Sequence, residues 1–138
     1  QRLLVAASTG HGLVVPTEAA LAQTRSGKQV LNISGTARAV ACCVAEGDMV
    51  ATVGVNRKLL AFALDEIPEM TRGKGVILQR FKDGGLADVT VYDSQAGLSW
   101  KAGGGRTRTE TDMTPWKGKR AGAGKLPPTG FPRPARFT

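Results

Sequence analysis

Apolar residues fall in short runs along this chain, at residues 3–8, 13–15, 49–53, 59–62 and 98–102, and turns rich in Gly, Asn and basic residues lie between them. Runs this short, bounded by turn residues, predict strands, and a pair of them across one turn predicts a hairpin. Further strands are expected at 30–33 and 37–44, and again at 76–81 and 87–92, where Val89-Thr-Val-Tyr92 alternates as a strand does. Connectors at 17–22 and 65–68 are too short for more than one helical turn.

The same order of elements recurs. Residues 3–33 can be laid without gaps on 49–79 at an offset of 46, which puts Leu3-Leu4 on Met49-Val50, Leu13-Val14 on Leu59-Leu60, Leu21 on Ile67 and Gly27-Lys28 on Gly73-Lys74. A further shift of 49 brings Leu98 under Met49, Trp116 under Ile67 and Gly122 under Gly73, although this third copy is polar where the others carry Leu13 and Leu59. A basic, glycine-containing loop sits at one phase of every copy, at 24–28, 71–75 and 118–125. About four short strands per 46 to 49 residues is the arithmetic of propeller blades. A β-sandwich would also give many short strands but would not repeat a basic loop in phase.

Composition narrows the class. A length of 138 residues suits one ordinary domain. With 41% hydrophobic and 22% charged residues, the chain is neither a disordered polyampholyte nor a membrane protein. No apolar run nears the roughly 18 to 20 residues of a membrane span, and the opening residues lack the length of a secretory signal. A first residue of Gln1 reads as a segment of a longer polypeptide. Residues 1–97 carry 10 basic and 9 acidic side chains, whereas residues 98–138 carry 9 and 2, so the net charge of +8 divides into +1 and +7. Such asymmetry points to a polyanion, nucleic acid before anionic lipid because no amphipathic basic helix is visible. The plain alternative is a charged end that only aids solubility. After Leu126, four prolines in 127–138 argue against ladder hydrogen bonding and predict a mostly disordered basic tail.

Little in the chain suggests catalysis. Cys42 and Cys43 are adjacent among apolar neighbours, which predicts buried, unpaired thiols and a reduced cytosolic setting. With His11 as the single histidine, a four-ligand zinc site cannot be built from Cys and His. Asp65, Glu66 and Glu69 cluster around Pro68 in a connector and read as a solvated turn, and no serine has a nucleophile-elbow context. Neither Gly103-Gly-Gly-Arg106 nor Gly73-Lys-Gly75 completes a phosphate-loop motif. The basic loops carry more. Glycine allows close backbone approach to a phosphate, flanking Arg and Lys supply charge, and repetition on successive blades would lay a positive band around a rim. Double-stranded DNA could follow that band through phosphate contacts and counterion release, selected by curvature instead of base sequence. A protein-interaction propeller whose basic tail binds an acidic partner is the rival from another class.

At these residues the chain resembles a known family. Leu3-Leu-Val-Ala-Ala-Ser-Thr-Gly-His-Gly-Leu-Val-Val-Pro16, Arg25-Ser-Gly-Lys28, Asp48-Met-Val-Ala-Thr-Val-Gly54 and Leu64-Asp-Glu-Ile-Pro-Glu-Met-Thr-Arg-Gly-Lys-Gly75 are similar to the C-terminal domain of the A subunit of bacterial DNA topoisomerase IV, a type IIA topoisomerase related to gyrase. The resemblance covers residues 2 to 126. It implies an all-β fold, a β-pinwheel of propeller-like blades that exchange strands, with blades at about 1–47, 48–96 and 97–126 and a basic Pro-rich tail at 127–138. More blades than these three are implied, which would leave an unpaired strand edge. It implies a DNA-binding role: capturing and bending the transported duplex for ATP-dependent strand passage, decatenation and supercoil relaxation. The implied partners are double-stranded DNA, the rest of a dimeric A subunit, which belongs to the DNA-cleaving half of the enzyme, plus the ATPase B subunit, in the bacterial cytoplasm at the nucleoid. The parent enzyme would use ATP and Mg2+ through other domains or subunits, with no cofactor in this segment, and its DNA-cleaving tyrosine belongs to an upstream domain. Gyrase carries a Gln-Arg-Arg-Gly-Gly-Lys-Gly box that supports tight wrapping; Thr71-Arg-Gly-Lys-Gly75 is a shortened echo, which favours topoisomerase IV over a gyrase wrapping domain. Arg25, Lys28, Arg72 and Lys74 match the basic blade-loop positions, while Lys119, Arg120 and Lys125 lie in a divergent loop. Arg57, Lys58, Arg106, Arg108 and Lys117 complete the candidate DNA-binding set.

Overall fold

The computed structural model describes residues 2–18, 39–70, 75–81, 84–101, 106–128, 131–132 and 135–137. Along them run β1 (Arg2–Ala7), β2 (His11–Pro16), β3 (Ala39–Val44), β4 (Met49–Gly54), β5 (Leu59–Ala63), a 3-10 turn η1 (Leu64–Glu66), β6 (Val76–Ile77), β7 (Leu86–Tyr92), β8 (Leu98–Lys101), β9 (Thr107–Glu110) and a second 3-10 turn η2 (Thr114–Trp116). They assemble into three antiparallel sheets, ordered β3-β1-β2-β6, β5-β4-β7 and β8-β9. The first two hairpins fall on the expected apolar runs, with Leu4 opposite Val14 and Val50 opposite Phe62. By contrast, β9 has no counterpart among the expected strands. Its Thr107-Arg-Thr-Glu110 is polar throughout, and pairing with β8 makes it a strand. The expected strand at 30–33 and most of the connector at 17–22 lie outside the described residues.

Strand exchange ties the sheets together. Only Val76–Ile77 of the expected strand 76–81 joins a ladder, and it joins that of the preceding repeat: His11 pairs with Ile77 and Gly12 with Val76 at the edge of β2. Just before it the chain also touches β2, where Val14 N donates to Pro68 O at 3.2 Å and Met70 N to Val14 O at 2.7 Å. The pattern recurs one repeat later at the edge of β5. Ala61 bridges Lys117 in parallel, and Leu59 bridges Lys125 in antiparallel. Leu59 N donates to Lys125 O at 2.6 Å and Lys125 N to Leu59 O at 2.9 Å. The first two hairpins are thus closed by backbone from the next unit, which leaves fewer edge amides unpaired.

The last glycine of each of these two loops makes this docking sterically possible. Gly75 and Gly124 hold φ of +79° and +82°, and a Cβ at Gly75 would overlap the Gly12 carbonyl, while one at Gly124 would stand 2.7 Å from Leu59 O. These glycines therefore serve close backbone-to-backbone approach, where the sequence pattern alone suggested approach to a phosphate. Gln79, 1% exposed, adds a side-chain tie. Its Nε2 donates to Lys58 O at 2.9 Å and Ala123 O at 3.0 Å, joining the β4–β5 turn to the third repeat's basic loop.

The central strand of the middle sheet is buried on both faces. Every residue of β4 is buried, so alternation sends Val50 into a core with Leu4, Val14, Leu60, Phe62 and Leu78, and sends Met49, Ala51 and Val53 into a second core with Tyr92, Leu98 and Trp100. Thr52 is the exception to an apolar β4. It is fully buried, pairs with Leu60 and Val89, and its hydroxyl has no hydrogen-bond partner.

Two expectations are corrected here. Cys42 is exposed and only Cys43 is half-buried, because β3 is an edge strand whose adjacent residues project to opposite faces; both thiols are free. Burial pushes the Cys43 thiol up to about 11. The disordered tail is the second correction. Phe131, Ala135 and Phe137 are 5%, 9% and 3% exposed and belong to the second core, and the Phe131 ring centroid lies 5.6 Å from those of both Trp100 and Phe137. Lys101 N donates to Phe137 O at 3.3 Å, and Phe137 N donates to Asp88 Oδ2 at 2.9 Å. Phe137 thus ties the end of β8 to β7 through its two backbone groups. The prolines do not prevent this, because the amide that bonds Asp88, that of Phe137, follows the last of them, and two phenylalanines gain from burial.

Replacing Gly75 by Ala is expected to cost about 1–3 kcal/mol, read as a drop in urea midpoint, whereas Gly118→Ala, whose Cβ would meet only Leu60 Cδ1 at 3.3 Å, costs clearly less. Equal effects at the two sites would overturn the steric account. Thr52→Val, which keeps the shape and removes the unpartnered hydroxyl, should raise stability by about 1 kcal/mol in the same titration.

Candidate nucleic-acid interface

The third repeat displays one basic loop in full. After η2 the chain meets β5 at Gly118 N, which donates to Ala61 O at 2.8 Å, and it returns to β5 at Lys125. Between these anchors Ala121, at φ +72°, donates its N–H to Leu78 O at 2.9 Å, and Arg80 N donates to Gly122 O at 3.0 Å. Lys117, Lys119 and Lys125 are exposed along this outer edge, and Lys58, half-buried, sits at the start of β5 beside the residue that pairs with Lys125. These four expected residues are brought together.

Two arginines of the expected set have inward partners. Arg120 Nη1 donates to Ile77 O at 2.8 Å while its backbone N–H donates to Glu66 Oε1 at 2.9 Å. Arg57, at φ +68° in the β4–β5 turn, donates from Nη1 to Pro132 O at 2.8 Å and from Nη2 to Phe131 O at 3.2 Å, with its guanidinium 6.0 Å from the Phe131 ring centroid. A planar fork can serve two carbonyls at once, which suits arginine to this holding role. Arg106 and Arg108 are exposed but belong to a different sheet, at β9. Arg25, Lys28, Arg72 and Lys74 lie outside the described residues. The flanks of the loop carrying the last two, Met70 and Gly75, both abut β2, as the ends of the 118–125 loop abut β5.

The carboxylates nearby have structural partners. Glu66 Oε2 accepts from Ala63 N at 3.3 Å, and Asp48 accepts from the Ser94 hydroxyl at 2.6 Å and the Ser94 amide at 2.8 Å. The Ser94 hydroxyl, then its amide, hold Asp48 below the ordinary carboxylate range, with Lys117 acting in the same direction, so an ionised Asp48 offsets part of the Lys117 field. His11 Nδ1 lies 3.1 Å from Thr9 Oγ1. Among the described residues no group of three His, Cys, Asp or Glu could hold a metal ion, and no helix is long and apolar enough to cross a membrane. Ser99, Lys101, Thr107 and Thr109, outside the expected set, are also exposed on β8 and β9.

The A subunit of DNA topoisomerase 4 from Rickettsia bellii is 46% identical to this chain over 136 residues, 99% of its length. The chain is homologous to the C-terminal region of the topoisomerase IV A subunit. The same subunit of Caulobacter vibrioides is 44% identical over 137 residues, and that of Escherichia coli 26% identical over 112 residues, or 75% of this chain. The chain spans 18% of the length of the Rickettsia bellii and Caulobacter vibrioides relatives. No protein-family model matches it. Its fold is that of the E. coli ParC C-terminal domain, with a TM-score of 0.77 at 24% identity over 94% of this chain and 56% of that one. The C-terminal domain of DNA gyrase A matches with a TM-score of 0.68 at 14% identity, over 89% of this chain and 42% of that one.

Arg57→Ala is expected to lower stability by about 1–3 kcal/mol and to speed hydrogen exchange at the Phe137 amide, since charged donors to two carbonyls are removed. Unchanged exchange at Phe137 would show that Arg57 does not hold the C-terminal segment.

Proposed function

We propose that this chain is a DNA-binding segment of a β-pinwheel, in which a positive outer edge captures and bends duplex DNA so that a type IIA topoisomerase can pass it through another. The observation that carries the reading is the phase of the basic loops. The loop with Lys117, Lys119 and Lys125 joins the edge of β5 as the flanks of the loop with Arg72 and Lys74 join the edge of β2. Such equivalent anchoring is the basis for reading the basic loops as one cationic outer edge, along which a duplex would gain affinity by counterion release with little base reading. We take the units as about 1–47, 48–96 and a third from 97 that includes residues 135–137, within a larger pinwheel. In the parent enzyme the proposed partners are the rest of a dimeric A subunit together with the ATPase B subunit, with ATP and Mg2+ acting elsewhere and DNA cleavage by a tyrosine outside this segment. The higher identity to topoisomerase IV relatives and the shortened loop motif favour supercoil relaxation and decatenation over gyrase-type wrapping.

Lys117→Ala combined with Lys119→Ala should weaken binding to a linear duplex of mixed sequence and reduce its log–log salt slope by about 0.9 for each phosphate no longer neutralised. An unaltered slope would falsify the edge assignment.

A further inference from the structure

We propose that the outward face of the β8–β9 ribbon is a second phosphate track for duplex DNA, separate from the loop edge at β5. The proposal rests on the reading that this chain binds DNA. Register fixes which residues share a face: Ser99 pairs with Thr109, Trp100 with Arg108 and Lys101 with Thr107. Trp100 is 2% exposed and marks the inner face, so Ser99, Lys101, Thr107 and Thr109 form the outer one, and all four are exposed. Arg106 is exposed one residue before Thr107, while Arg108 belongs with Trp100 on the opposite face.

The hydrogen bonds on this face leave donors free. Ser99 Oγ and Thr109 Oγ1 lie 2.8 Å apart and share one proton, so the other hydroxyl proton of the pair has no partner within it. Lys101 Nζ donates to Thr107 Oγ1 at 3.3 Å, which leaves the Thr107 hydroxyl proton and two ammonium protons directed elsewhere. Four polar side chains with surplus donors and no carboxylate match a phosphate backbone, where serine, threonine and lysine supply many of the contacts. The face carries no aromatic or aliphatic anchor of the kind that protein partners bury, which argues against a protein occupant. Glu110, the acid of the ribbon, is half-buried on the inner side, and its Oε1 accepts from Asp112 N at 3.2 Å.

The test compares the chain with Lys101→Ala, with Thr107→Val combined with Thr109→Val, and with Lys117→Ala combined with Lys119→Ala, titrating a linear duplex of mixed sequence at graded NaCl. Valine keeps the branched shape at exposed strand positions, so melting temperatures should match that of the parent. Lys101→Ala should reduce the salt slope by about 0.9, and the double valine variant should weaken binding roughly two- to tenfold at constant slope, because neutral donors release no counterions. Thr107→Ser, which retains the hydroxyl, should bind like the parent. Parent-like binding by both ribbon variants, while the Lys117/Lys119 variant weakens, overturns the ribbon track and leaves the loop edge standing. Loss of poly-glutamate binding with duplex binding intact would assign the ribbon to an acidic protein and also overturn it. A parent chain with no salt-dependent duplex binding would overturn both readings.

Discussion

Backbone pairing between successive repeats is the constraint on which the rest of this architecture depends. A two-stranded hairpin has two open edges and one face too many, and alone it is marginal in water. Here the edges of β2 and β5 are closed by segments arriving from the next repeat, through Val76–Ile77 in one case and Lys125 in the other. That borrowing sets where the basic loops at 71–75 and 118–125 begin and end. It also explains why a glycine at positive φ closes the second and third loops: at Gly75 and Gly124 the incoming chain approaches a carbonyl too closely for any Cβ.

Charge is sorted by the same contacts. Arg57 and Arg120 direct guanidinium donors to carbonyls of the C-terminal segment and of β6, so they knit repeats together. The lysines of the 117–125 loop stay exposed, because a flexible ammonium loses little by remaining in water, whereas a fork that meets two carbonyls is held in place. A tally of basic residues therefore overstates the cationic surface available to a ligand. The proposed DNA edge is built from lysines on a loop, and its geometry is inherited from the strand exchange beneath it.

The C-terminal segment shows how composition can mislead. Prolines at 127, 128, 132 and 134 argue against strand pairing, yet Phe131 and Phe137 fill the core beside Trp100, and the amide of Phe137 finds Asp88. The proline rule holds only for the residues it touches, and Ala135-Arg-Phe137 follow the last proline. Arg136 then travels with a buried segment, not with a free tail.

From the sequence alone came the all-β class, the strand runs of β1, β4, β5, β7 and β8, the near-regular repeat and the recurrence of basic loops, because burial demands apolar residues at local spacing and turns demand glycine. Local patterning could not show that Val76–Ile77 belongs to the preceding sheet, that polar Thr107–Glu110 is a strand, or that Gln79 bridges two repeats. Nor could it separate inward arginines from outward lysines. Those outcomes depend on which edge, carbonyl or ring lies opposite in space, and only tertiary structure brings such partners within hydrogen-bonding reach.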